Sequence, residues 1–111
     1  MSSPVLSGRL RVLLVTDTDK PIGELRTALA QRGYDMLADV ATPARLPAAV
    51  EEQRPDVVII DTDSPSRDTL EQLAVMHATA PRPVVMFSHD ADQALIRAAV
   101  GAGVSAYLVE G

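Results

Sequence analysis

In the run Asp56-Val57-Val58-Ile59-Ile60-Asp61-Thr62-Asp63-Ser64-Pro65, four consecutive β-branched residues stand between two acidic ones. A strand with one wet face alternates polar and apolar; this one does not. It reads as buried on both faces, the pattern of a central strand in a parallel sheet. Asp61 falls where that strand emerges at its carboxyl end, the edge at which open α/β sheets carry their functional groups. A carboxylate there can act as a nucleophile, ligate a metal, or begin a turn with Asp63, Ser64 and Pro65.

Upstream, residues 10–15 (LRVLLV) form a second continuous apolar run that ends at Thr16-Asp17-Thr18-Asp19. A helix is expected from about Pro21, with Ile22, Leu25 and Leu29 on its inner stripe and Gly33 as its stop. Residues 34–40 are less apolar, which places them in an edge strand. Thr42 is expected to cap the next helix, with Pro43 and Pro47 in its first turn and Leu46 and Val50 facing inward.

Downstream, Ser66 or Asp68 can cap a helix that presents Leu70, Leu73, Ala74 and Met76. His77 falls at the rim of that face. Residues 84–87 (VVMF) are a fourth buried run, ending at Ser88-His89. Asp90 or Asp92 then opens a helix through Leu95, Ile96, Ala99 and Val100, which Gly101 or Gly103 closes, and residues 105–109 make a fifth strand. Five strands alternating with helices imply a parallel sheet with right-handed crossovers. The compact arrangement is an α/β, flavodoxin-like sheet of order 2-1-3-4-5 without a final helix, whose bared apolar strip invites a partner, a second copy included. Residues 1–9 read as a flexible lead, and 10–111 as one domain.

The totals narrow the functions. A chain of 111 residues suits one domain, and its net charge of −5 sets it against phosphate-rich partners, so nucleic-acid binding by this segment is disfavoured. It has no cysteine, which excludes disulfides and thiolate metal sites and agrees with a reducing compartment such as the cytoplasm. No apolar run approaches the about 18 residues that cross a membrane. A glycine-rich phosphate loop is also missing.

Three segments, in order, resemble the receiver domain of bacterial response regulators, the CheY-like fold: Asp56 to Pro65, the strand ending at Ser88, and Ala102-Gly103-Val104-Ser105-Ala106-Tyr107-Leu108. The resemblance implies that Asp61 is the phosphoacceptor candidate of a two-component phosphorelay, served by a histidine kinase or a small phosphodonor. It implies that Ser88 and Tyr107 are the hydroxyl and aromatic of the switch. Mg²⁺ would be held by Asp17, Asp61 and the backbone carbonyl of Asp63. Residues 64–72 and 103–111 further resemble the receivers of ANTAR antiterminators, in particular the NasT-type regulators of nitrate assimilation. That likeness implies a nitrate- or nitrite-sensing partner protein. It also implies that RNA is bound by a C-terminal ANTAR domain, which this chain lacks.

Two positions depart from the family pattern. Thr16 replaces the first of an acidic pair, which removes a charge from the metal site and weakens Mg²⁺ binding. Glu110 stands where the family carries a lysine for the phosphoryl oxygens. Unit charges about 4 Å apart interact by about 4 kcal/mol at an effective dielectric near 20, so exchanging a cation for an anion reverses a sizeable term. Lys20 and Arg67 are candidate replacements. The expectation is therefore a pseudo-receiver: not an enzyme, and working through protein–protein contact. The rival is a working Mg²⁺-dependent phosphoacceptor at Asp61. Asp61-Thr62-Asp63 also resembles the paired aspartates of haloacid-dehalogenase phosphatases, but Pro65 and the short chain speak against that reading.

Overall fold

The computed structural model describes residues 10–16, 23–37, 40 and 42–109. Along the chain run β1 (Arg11–Thr16), α1 (Gly23–Gln31), β2 (Asp35–Met36), α2 (Leu46–Gln53), β3 (Val57–Asp61), α3 (Arg67–Thr79), β4 (Val84–Ser88), α4 (Gln93–Gly101) and β5 (Ala106–Val109). The strands make one sheet of order β2-β1-β3-β4-β5. Every pairing is parallel. The expected architecture is thus the observed one, with β3 at the centre.

Alternate residues of the inner strands feed two cores, as a side-chain period of two requires. Leu13, Val15, Val58, Ile60, Val84 and Met86 face a layer built from α2, α3 and the α4 side, including Leu46, Val50, Leu73, Met76 and Ala99. Val12, Leu14 and Ile59 face the other way, toward Leu25 and Leu29 of α1 and toward Tyr34. Among the described residues α1 is the one helix on that second face. Burial accordingly weakens toward β5: Val85 and Phe87 are half-buried, and Leu108 is 46% exposed. A cavity of about 400 Å³ opens on the same side, lined by Leu10, Val12, Leu29, Tyr34, Val57 and Ile59 among others.

Several local expectations need correction. The second strand is only two residues long, and Val40 rejoins the sheet through a single bridge to Val15. Thr42 does not cap α2. A short 3-10 turn, Pro43–Arg45, intervenes, and Arg45 takes the cap position with no side-chain bond, leaving Pro47 in the first turn as expected. Ser66 is the N-cap of α3, its hydroxyl accepting the N–H of Thr69. The buried stripe of α3 is Thr69, Leu73 and Met76, spaced four and three apart, while Ala74 is exposed. At 3.6 residues per turn Ala74 lies about 100° round from Leu73, so it turns outward once Leu73 is central. The same rotation exposes Val100 (58%) beside the buried Ala99. The helix expected from Pro21 is described from Gly23 onward, and the stretch before it lies outside the described residues.

Candidate functional site

Parallel strands bring their carboxyl ends to one edge, and the register sets which residues meet there. Thr16 of β1 pairs with Asp61 of β3, Asp61 pairs with Phe87 of β4, and Ser88 pairs with Val109 of β5. Thr16, Asp61 and Ser88 therefore share the edge. Asp61 is half-buried and Ser88 fully buried. Asp17, Lys20 and Glu110, expected at the same edge, lie outside the described residues. Arg67 opens α3 with its guanidinium in solvent, 3.3 Å from the Glu71 carboxylate one turn on. It is held by its own helix.

The loops after β3 and β4 are bonded to each other. The Ser88 hydroxyl donates to the Asp63 carbonyl at 3.1 Å and accepts the Asp90 N–H at 3.0 Å. The His89 N–H donates to the same Asp63 carbonyl at 3.0 Å. A carbonyl oxygen has two lone pairs, so both are engaged. The His89 ring also stands 3.8 Å from the Asp63 carboxylate, an ion pair when the imidazole is protonated. Tyr107 packs against the larger core and donates its hydroxyl to the Asp90 carbonyl at 2.7 Å. Ser88 and Tyr107 thus meet through the backbone of one intervening residue.

From sequence that residue, Asp90, is only one of two possible helix caps. The cap is Asp92, whose carboxylate accepts the N–H groups of Ala94 and Leu95. Asp90 instead receives the Asp92 N–H on one carboxylate oxygen and the Ser64 hydroxyl on the other. Those two donors, Asp92 first and Ser64 second, hold its pKa below the ordinary aspartate value. The spacing Ser88-x-Asp90-x-Asp92 carried a signal of a polar ladder, but its partner Ser64 is remote in sequence.

As a Mg²⁺ site the described donors fit in part. Asp61 supplies a carboxylate at the strand end, but the Asp63 carbonyl is already occupied by Ser88 and His89, and ligation by it requires those bonds to move. Among the described residues no three His, Asp or Glu side chains converge. His77 does not add one; its ring lies against Gly103.

Thr62, next to the acceptor candidate, is 1% exposed, and its hydroxyl finds no hydrogen-bond partner among the described residues. A buried unsatisfied hydroxyl is destabilising, and valine has nearly the same shape. Thr62→Val is expected to stabilise the domain by about 1 kcal/mol, raising its melting temperature by about 4 °C. A calorimetric scan in which the variant melts at or below the parent temperature would contradict this.

A parallel sheet of this order with an aspartate at the carboxyl end of its central strand is the architecture of the CheY-like class. The model of the response regulator receiver domain matches residues 12–110, and the chain belongs to that family, whose place is in two-component signalling. Among curated proteins it is similar to the transcriptional regulatory protein PdtaR of Mycobacterium tuberculosis, 27% identical over 100 residues, covering 90% of this chain and 49% of that protein. It is also similar to the sensory/regulatory protein RpfC of Xanthomonas campestris, 34% identical over 119 residues, covering 98% of this chain and 16% of that one. The chain thus spans about half the length of the first relative and far less of the second. Its fold resembles a CheY-like receiver domain protein from Methanospirillum hungatei (TM-score 0.79, 22% identity, 93% of this chain and 82% of the other). A receiver domain of a modulated diguanylate cyclase from Desulfovibrio desulfuricans is similarly alike (TM-score 0.78, 23% identity, 92% and 82%). No helix among the described residues is long and apolar enough to cross a membrane.

Proposed function

We propose that this domain is the receiving module of a cytoplasmic antitermination regulator and is controlled mainly by binding a sensor protein rather than by durable phosphoryl transfer. The observation that carries the reading is the engagement of Ser88 with the Asp63 carbonyl and the Asp90 N–H, which couples the two site loops through protein bonds. The neutral Thr16 beside Asp61 and the acidic Glu110 after β5 add to it, because each removes charge complementarity from a phosphoryl–metal site. The sensor is of the nitrate- or nitrite-sensing type, as the NasT-like segments imply. RNA contact belongs to an ANTAR domain outside this chain, in keeping with the net charge of −5. The domain itself turns over no substrate.

The test is spectroscopic. Beryllofluoride with Mg²⁺, a mimic of the phosphorylated carboxylate, is expected to leave the amide spectrum around Asp61, Ser88 and Tyr107 almost unchanged. Saturable shifts at low-millimolar Mg²⁺ that vanish in Asp61→Asn instead establish the rival, a phosphoacceptor served by a histidine kinase. Asp61 at the carboxyl end of β3, close in register to Ser88, is the observation that favours the rival. There Asp17, Asp61 and the Asp63 carbonyl would hold Mg²⁺ weakly, and the metal would screen charge on the incoming oxygens.

Homodimerisation follows from the same account. The second sheet face carries half-buried Val85 and Phe87 and exposed Leu108 under a single described helix, and apolar surface of this kind is usually covered. Light scattering at high concentration is expected to give twice the chain mass; a monomer at every concentration removes the proposal.

A further inference from the structure

We infer that Asp90 is a positioning residue: its carboxylate, clasped by the Ser64 hydroxyl, holds the backbone to which Tyr107 and Ser88 are bonded, and so sets the tyrosine. The inference rests on the receiver reading above and specifies how its switch residues are held. Four bonds converge on one residue. The Asp90 N–H meets Ser88, its carbonyl meets Tyr107, and its two carboxylate oxygens meet Asp92 and Ser64. The first two are backbone groups, so their direction relative to one another follows from the φ and ψ of residue 90. The last two restrain those angles. A side-chain bond two residues forward makes a tight local turn. The bond to Ser64 ties that turn to the loop after β3, which also holds the Asp63 carbonyl engaged by Ser88 and His89.

The geometry has a consequence for signalling. Ser64 is exposed on the loop that follows Asp61, and Tyr107 lies on β5, beyond β4 from that loop. Any partner or modification that takes the Ser64 hydroxyl releases one side of the Asp90 turn and, through the carbonyl of Asp90, the tyrosine. A bond donated to an ionised carboxylate is the stronger kind, which suits a clasp near solvent. Tyr107 then reports the state of the loop after β3 with no phosphoryl group required.

The chain has two tyrosines and no tryptophan, so Tyr34→Phe leaves Tyr107 as the one emitting side chain. In that background the clasp can be tested on the whole chain by acrylamide quenching and by NMR contacts between the Tyr107 ring and residues 88–90. Ser64→Ala is expected to raise the ratio of released to bonded tyrosine about fivefold, the change that goes with one lost hydrogen bond, and Asp90→Ala, which loses the bonds to both Asp92 and Ser64, by more than that. Asp90→Asn is expected to restore the parent behaviour, because its amide oxygen still accepts the Asp92 N–H and its amide N–H can donate to Ser64. Tyrosine signals unchanged in both alanine variants overturn the inference. So does release in Asp90→Ala with Ser64→Ala silent, which would reduce Asp90 to a local turn former. Ser64 is exposed, so its alanine variant folds even if the Asp90 variant does not. The readout involves neither beryllofluoride nor a sensor protein, so it can fail while the proposed mode of control stands, and the reverse.

Discussion

Replacing Gly103 with alanine is expected to destabilise the domain by about 2–4 kcal/mol, a large share of what a domain of this size holds. Two separate effects add. Gly103 has φ +109°, a conformation that side-chain-bearing residues rarely adopt. A Cβ built there would also stand 2.8 Å from both Cγ and Nδ1 of His77 and 3.0 Å from its Cβ. The His77 ring can swing, since it is exposed, but its own Cβ is fixed to α3. The double variant His77→Ala, Gly103→Ala separates the ring clash from the rest. Removing the ring is expected to recover the part of the clash due to Cγ and Nδ1 and to leave the Cβ contact together with the backbone strain of about 1–3 kcal/mol, whereas His77→Ala alone stays within about 0.5 kcal/mol of the parent. Urea melts measure all four proteins. A Gly103→Ala midpoint equal to that of the parent would refute the close approach of α3 to the start of β5.

Gly103 also shows where sequence reasoning reaches its limit. The segment Gly101-Ala102-Gly103 announces the end of a helix, and both glycines qualified as the stop. The structure separates them: Gly101 is the last helical residue with open space around it, and Gly103 carries the positive φ against His77. The positive φ belongs to the backbone stop of α4, in which the Gly103 N–H donates to the Val100 carbonyl and the Val104 N–H to that of Ala99, while the close approach of His77 comes from a different helix and has no local signal. The strands behave in the opposite way. β1, β3 and β4 were legible because a doubly covered strand needs an unbroken apolar run, and such runs are rare by chance. Helical faces were legible to within one position. The sequence puts Leu70, Leu73, Ala74 and Met76 on the inner stripe of α3; Leu73 and Met76 are inside, but Thr69 takes the place of Ala74, tolerated because its hydroxyl meets that of Ser66 at 3.0 Å. The polar contacts at the site edge were the least legible, since Ser88, Asp90, Ser64 and Tyr107 come from three separate stretches and bond through backbone atoms as much as side chains.

The largest functional effect is expected from Glu110→Lys. In the parent, β5 ends at Val109 in register with Ser88, and the next residue of the sequence is an acid. A lysine there supplies the cation that the family pattern pairs with phosphoryl oxygens, and the change is two units of charge. The interaction of one pair at about 4 Å is about 4 kcal/mol at an effective dielectric of 20, and solvent at an open edge reduces it. A surviving gain of about 2 kcal/mol still tightens binding roughly thirtyfold. The variant is therefore expected to show saturable amide shifts with beryllofluoride and Mg²⁺ where the parent shows almost none. Adding Thr16→Asp, which puts a second carboxylate beside Asp61, is expected to lower the Mg²⁺ concentration required. Asp61→Asn in the Glu110→Lys background is the control: the shifts must disappear, since the mimic needs a carboxylate oxygen to bond. Should the parent respond as strongly as Glu110→Lys, the acid after β5 is no barrier. Control by a sensor protein would then lose its chemical reason, because an acceptor that works unaided needs no substitute for phosphorylation.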